Sequence, residues 1–203
     1  MGTDVHAIWQ AKKNGKWEDV PSTWDQDRHY FLFSWLADVR NGHGFAGVPT
    51  YTPIKPIAQP RGLPEDFEGG EEHPTTLECL APFRQKYVEE NPPISWMGDH
   101  TFSWLTAEEI LSTPVPDKVW QTGIVERAWF DAWDGHAGPE EWSGGISGKD
   151  IRVAESPTEV TDESTHVRIW WIKPGDTLKY FVDEVKRLKE EHGEVRIVFG
   201  FDS

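Results

Sequence analysis

The chain has 203 residues, with 35 acidic against 20 basic side chains, a formal net charge of −15, twelve tryptophans and one cysteine. An acidic excess of this size argues against nucleic-acid binding, which needs basic surface to displace counterions. No stretch approaches the roughly 18 uninterrupted apolar residues of a membrane span, and Cys79 alone cannot form an internal disulfide. The opening Met-Gly-Thr-Asp-Val-His lacks the basic and apolar regions of a signal peptide, so the expectation is a soluble cytoplasmic protein. Its length fits a single domain, 1–203.

Residues 4–12 alternate as a strand, with Val5, Ala7, Trp9 and Ala11 on one face and Asp4, His6, Ile8 and Gln10 on the other. Asn14-Gly15 signals a hairpin turn into a second strand near 16–20. Tyr30 to Arg40 reads as a largely buried helix closed by Asn41-Gly42, with a polar stripe of Ser34, Asp38 and Asn41. Residues 42–75 carry six prolines between Gly42 and Pro74 and an acidic run, and read as a long irregular insertion.

A helix is expected around Thr76–Glu90, with Pro82 in its first turn or at a kink. His100–Leu105 reads as a short strand leading into a helix with a capping box, Thr106 and Glu109. Val119–Phe130 reads as a strand, and 134–165 as a second irregular insertion rich in Gly, Ser, Glu and Asp. His166–Lys173 is a strand, Pro174-Gly175 a turn, and Asp176 the cap of a helix carrying Leu178, Phe181, Val182, Val185 and Leu188. A final strand, 194–202, points Val195, Ile197, Phe199 and Phe201 one way and Arg196, Val198, Gly200 and Asp202 the other. The fold class is α+β: a mixed or antiparallel sheet holding the N- and C-terminal strands, packed by helices, with two long loop insertions.

Asp4 and His6 are two apart on a strand, so their side chains leave one face about 6.6 Å apart. With Asp202 on a neighbouring strand, and Asp99-His100 nearby, they could supply ligands to a divalent metal. The metal candidates are Asp4, His6, His100 and Asp202. The plainer alternative is that these groups cap sheet ends. The same spacing recurs at Asp27/His29 and Asp134/His136, which weakens the signal. Arg28, Arg40 and Arg61 sit beside aromatic, helix-terminal or Gly/Pro-turn residues, where Arg can clamp phosphate or carboxylate; the plainer alternative is ordinary salt bridges to the abundant carboxylates. Arg127, Arg152, Arg168 and Arg196 read as strand-surface residues.

Walker, Rossmann and Gly-x-Ser-x-Gly motifs are missing, as is His-Glu-x-x-His. Trp9, Trp35 and Trp171 fall on core faces. Trp24, Trp96, Trp133 and Trp142 lie in loop-like sequence, and Trp104 shares a segment with His100 and Ser103.

Asp4-Val5-His6, the run Arg28–Asn41, Arg61-Gly62-Leu63-Pro64, the run Asp99–Thr106 and the run Arg196–Asp202 resemble an uncharacterised family of small phage and bacterial proteins. The resemblance implies a phage-linked cytoplasmic protein and flags those polar residues as a shared site. The leading expectation is a non-enzymatic accessory protein that sequesters a small anionic aromatic ligand, such as a nucleotide-derived host immune signal. Its candidate ligand-binding residues are Arg40, Asn41, Arg61, Ser103, Trp104 and Trp35, with Asp4, His6 and Asp202 as further polar contacts. One alternative is a metal-dependent hydrolase or phosphodiesterase that cleaves such a nucleotide; another is an acidic, Trp-rich inhibitor docked on a host enzyme. A homo-oligomer is compatible with each.

Overall fold

The computed structural model describes residues 2–67, 98, 100–116, 118–174 and 178–202. The expected helix at 76–90, Cys79, Trp96, Asp99, Gly175 and the Asp176 cap lie outside these residues. In chain order the elements are β1 (Val5–Lys13), β2 (Lys16–Val20), α1 (Tyr30–Ala37), β3 (His100–Thr106), α2 (Ala107–Ser112), β4 (Lys118–Glu126), α3 (Arg127–Asp131), β5 (Val153–Ala154), β6 (His166–Pro174), α4 (Lys179–His192) and β7 (Val195–Phe201). The fold is α+β. The described residues fall into two compact units: one within 1–39, 55–115 and 177–203, the other within 40–54 and 116–176.

The first unit is built on an antiparallel sheet of order β2-β1-β7-β3, so the N- and C-terminal strands are central neighbours. Asn14 and Gly15 both take left-handed φ, 51° and 83°, as the tight β1–β2 turn requires. Register pairs Trp9 with Ile197 and Ala7 with Phe199, which puts the odd-numbered apolar residues of β1 and β7 on one face. Against that face lie Phe181 of α4, 5.9 Å from the Trp9 ring, and Phe33 of α1, 5.1 Å from Phe201. Trp24, expected in a loop, is instead 3 % exposed and packs edge-on against Phe181 at 5.0 Å. The even-numbered face is buried as well: Ile8 and Val198 form a second small core with Leu63, Phe67, Phe102 and Trp104.

Helix α1 is shorter than its apolar run implies. Asp38 adopts φ 62° and its N–H bonds the carbonyls of Phe33 and Ser34, which ends the helix before Asn41-Gly42. Ser34 therefore stays on the helix, its hydroxyl donating to Tyr30 and Val39 carbonyls, while Asp38 and Asn41 leave the expected stripe. The Thr106/Glu109 capping box of α2 forms as expected. Lys189 of α4 bonds Glu108 of α2.

In the second unit, β4 and β6 form a long antiparallel ladder from Lys118↔Pro174 to Glu126↔His166, with β5 parallel to one end of β6. The stretch expected to be strand through Phe130 turns into α3 at Arg127. The first expected insertion is divided: residues 50–52 bond the free edge of β4 (Thr52 N–H to the Trp120 carbonyl, 2.8 Å), whereas 55–67 belong to the first unit. The second is irregular apart from β5 and a single 3-10 turn, Pro157–Glu159. Trp142 lies edge-on to Trp171 at 5.5 Å, against Gly123, where a Cβ would come within 2.4 Å of the indole.

Glu184 shows how α4 is fixed. Its carboxylate, almost wholly buried, accepts from Ser22 Oγ (2.7 Å), Thr23 N–H (2.7 Å), Thr23 Oγ1 (2.9 Å) and two nitrogens of Arg187. The Arg187 bonds, with those from Ser22 and Thr23, outweigh burial and hold its pKa down at about 2, against an ordinary 4.5. A depressed carboxylate stabilises the fold above its unfolded pKa and loses that contribution as pH falls through the folded value. Glu184→Gln should therefore cost on the order of 2 kcal/mol at neutral pH in urea denaturation. The wild-type advantage should vanish between about pH 4.5 and pH 2.

Candidate functional site

The second face of the four-stranded sheet concentrates the unusual chemistry. Register aligns Asp19 with Gln10, Gln10 with Arg196 and Arg196 with Thr106, so one cross-strand row runs from β2 to β3. Arg196 was expected on a strand surface, but its side chain is 3 % exposed. Its sheet face is closed by the apolar cover of residues 63 and 67 over Ile8 and Val198. The guanidinium lies 4.2 Å from the centroid of the Trp17 ring and 5.9 Å from that of Trp104.

Two of the three Arg196 nitrogens are bonded. Nε donates to Gln10 Oε1 at 2.9 Å, and Nη1 donates to Asp66 Oδ1 at 2.7 Å. Gln10 is oriented in turn by its Nε2 donating to Asp19 Oδ1 at 2.7 Å. The third nitrogen, Nη2, is buried and has no hydrogen-bond partner among the described residues. A buried donor without a partner costs about 1–3 kcal/mol, and more where the group is charged. Asp66 is 61 % exposed, and its Arg196 bond holds its carboxyl below the usual range.

Arg61 is spent on structure. Its guanidinium lies 3.9 Å from the centroid of the Trp104 ring, donates to both Glu109 oxygens (3.0 and 2.7 Å) and bonds the Trp104 carbonyl through Nε and Nη2. Burial pushes the Glu109 carboxyl up, but the bonds from Arg61 and Thr106 prevail and hold it below its ordinary value. Ser103 is buried, and its hydroxyl accepts the Arg61 backbone N–H at 3.3 Å. Arg61, Ser103 and Trp104 thus converge as a staple that fixes the Trp104 indole beside Arg196.

The other ligand-binding candidates lie elsewhere. Trp35 is fully buried in α1. Arg40 takes φ 55°, and its carbonyl accepts from Tyr51 Oη and the His43 N–H. Asn41 clamps the backbone of Ile54 with both ends of its amide, 2.7 and 2.9 Å. Neither Arg40 nor Asn41 belongs to the unit that holds Arg61 and Trp104.

Part of the expected metal set does meet. His6 Nε2 lies 2.9 Å from Asp202 Oδ2, and Asp202 Oδ1 accepts the Asp4 N–H at 2.9 Å. The Asp4 carboxylate, however, receives two bonds from Arg28, both 2.8 Å. The His100 ring stacks on Phe201, 6.2 Å between centroids, with Nδ1 at 2.7 Å from Thr101 Oγ1. By register Phe201 pairs with Val5, on the sheet face opposite His6. Among the described residues no group of three His, Cys, Asp or Glu is placed to hold a metal ion. The two echoes of the Asp-x-His spacing make local backbone bonds instead: His29 caps α1 by accepting the Leu32 N–H, and Asp134 closes a turn by accepting the N–H groups of His136 and Ala137.

Sequence reasoning missed Arg196, Trp17, Gln10 and Asp66. One signal was available: Ile8 and Val198 share the face of Gln10 and Arg196, so that face carried apolar residues that needed cover. No family model, curated protein or solved structure matches the chain.

Because Asp202 serves both the Asp4 backbone and the His6 ring, it holds the ends of β1 and β7 together. Asp202→Ala is expected to cost about 2–3 kcal/mol in urea denaturation, as two part-buried bonds are lost. A variant as stable as wild type would show that the pair is not needed for folding.

Proposed function

We propose that the protein is a non-enzymatic binding protein that sequesters a small anionic ligand carrying a planar ring, with Arg196 as the charge-recognising residue. The supporting observation is the buried guanidinium between two indoles with Nη2 uncommitted. In a chain of net charge −15, a sequestered cation with a spare donor is a specific attraction for one small anion. The flanking indoles exclude water, and an ion pair strengthens as the local dielectric falls.

Trp17 shares its ring between Arg196 and the Lys12 ammonium, 5.4 Å from the centroid. Lys12 is a surface side chain paired with Glu194, so a planar group can take its place over the indole. Base–aromatic stacking is worth about 1–3 kcal/mol, which favours a nucleotide over a bare anion. In this reading Arg61 positions Trp104 rather than touching the ligand. The resemblance to small phage proteins extends the proposal to a phage-type accessory protein that withholds a host signalling nucleotide in the cytoplasm.

The alternative of nucleotide cleavage draws on one observation, the His6–Asp202 pair at 2.9 Å. A single experiment separates the two. Purified protein is incubated with adenosine monophosphate and heated, and the released ligand is analysed with and without a chelator. Sequestration returns the nucleotide intact, and its binding raises the protein's melting temperature. Chelator-sensitive products would favour cleavage. Arg196→Lys, which keeps the charge but loses the planar fork, should weaken binding tenfold or more by calorimetry. The absence of any thermal shift across a panel of mono-, di- and cyclic nucleotides would overturn the binding reading.

A further inference from the structure

We infer that Asp66 is a built-in stand-in for the ligand: its carboxylate occupies half of the Arg196 fork, and an incoming oxyanion must displace it. The inference rests on the binding reading above and adds the group recognised and how access is controlled. Arg196 is held from inside, because Nε is fixed by Gln10 and Gln10 by Asp19. The outer edge of the guanidinium, Nη1 with Nη2, is the end that an oxyanion would bridge.

Asp66 engages that edge with one oxygen only, on Nη1, and leaves Nη2 without a partner. Nη2 is solvent-inaccessible in this arrangement, so a second anion reaches it only when a neighbouring group moves. Asp66 is the group placed to move: its side chain is mostly exposed and is held, besides Arg196, by a side-chain hydrogen bond from Trp17, in a surface turn closed by the Phe67 N–H on the Pro64 carbonyl, 3.0 Å. Leu63 and Phe67, on either side of it, pack against the Ile8–Val198 core. The turn backbone therefore stays while the Asp66 side chain rotates out.

The freed edge presents two parallel donors, Nη1 and Nη2, which suit one small oxyanion with two oxygens in bidentate spacing: a carboxylate, or the terminal phosphate of a monoester. Affinity is then set by competition with an internal carboxylate, whose effective concentration near the fork is high. Removing that carboxylate should tighten binding.

The test compares wild type, Asp66→Ala, Asp66→Asn and the double variant Asp66→Ala/Arg196→Lys by isothermal calorimetry. The probes are adenosine monophosphate, adenosine, inorganic phosphate and benzoate. Asp66→Ala should bind adenosine monophosphate about tenfold more tightly than wild type, Asp66→Asn should fall between, and the double variant should lose the gain. Adenosine should show no gain in any variant. A gain for benzoate without one for phosphate assigns the fork to carboxylates, and the reverse assigns it to phosphates. Should Asp66→Ala not fold alone, its refolding by millimolar phosphate supports the inference, and Asp66→Asn carries the affinity comparison. Equal affinity of wild type and both Asp66 variants for adenosine monophosphate overturns the stand-in role and leaves the binding reading in place. No binding of any oxyanion to any variant overturns the binding reading itself.

Discussion

Strand β7 is hydrogen-bonded on both sides and covered on both faces, and the rest of the first unit follows from that double burial. A strand with only one buried face alternates apolar and polar residues, and its polar row meets water. In β7 all seven residues are buried, including Arg196. The helices α1 and α4 supply cover on the odd-numbered face. On the other face the cover comes from residues 63 and 67, in a stretch that looks like an irregular insertion in sequence. A charged residue at position 196 is then forced into the interior, and it must be neutralised there or remain costly.

The described arginines of this unit show how that demand is usually met. Arg28 takes both oxygens of Asp4, Arg61 both oxygens of Glu109 and Arg187 both oxygens of Glu184. Each is at least partly exposed, so none needed so complete a partner to be tolerated. Arg196 is the most buried of the four and has the least complete partner, a single oxygen from an exposed aspartate. Stability alone would predict the reverse order, because the desolvation penalty grows with burial. An arrangement that is suboptimal for the fold is where a function is most economically sought.

Much of the frame was legible because it depends on local pattern. Alternation in β1 and β7, the Asn14-Gly15 turn and the Thr106/Glu109 capping box require only neighbours in sequence. Helix α1 shows the limit: Asn41-Gly42 is the stronger stop signal, yet Asp38 ends the helix by adopting a left-handed conformation open to Asp and Asn. Trp24 becomes core only because Phe181, 157 positions away, arrives beside it. The candidate site was legible only in part. Arg61, Ser103 and Trp104 were named and do converge, but as the support of a neighbouring arginine that alternation had placed on the surface. Which of several arginines is buried depends on long-range cover, and local pattern carries no record of that.

The same contrast between inside and outside bears on the His6–Asp202 pair. In an acid–base dyad the carboxylate is the enclosed partner that orients an imidazole, and the imidazole faces the reacting group. Here the order is inverted: His6 is 5 % exposed and Asp202 is 41 % exposed. The carboxylate also binds the Asp4 N–H, while the Asp202 N–H returns a bond to the Asp4 carbonyl at 3.2 Å. The ends of β1 and β7 are thus tied by reciprocal backbone and side-chain bonds, with the imidazole as a third tether from within. Such a clasp suits a sheet whose central pair joins the first and last strands, since fraying at that end would open both faces. Its geometry serves the sheet that holds Arg196 in place, and the recognition proposed for this protein rests instead on the cross-strand row between Trp17 and Trp104.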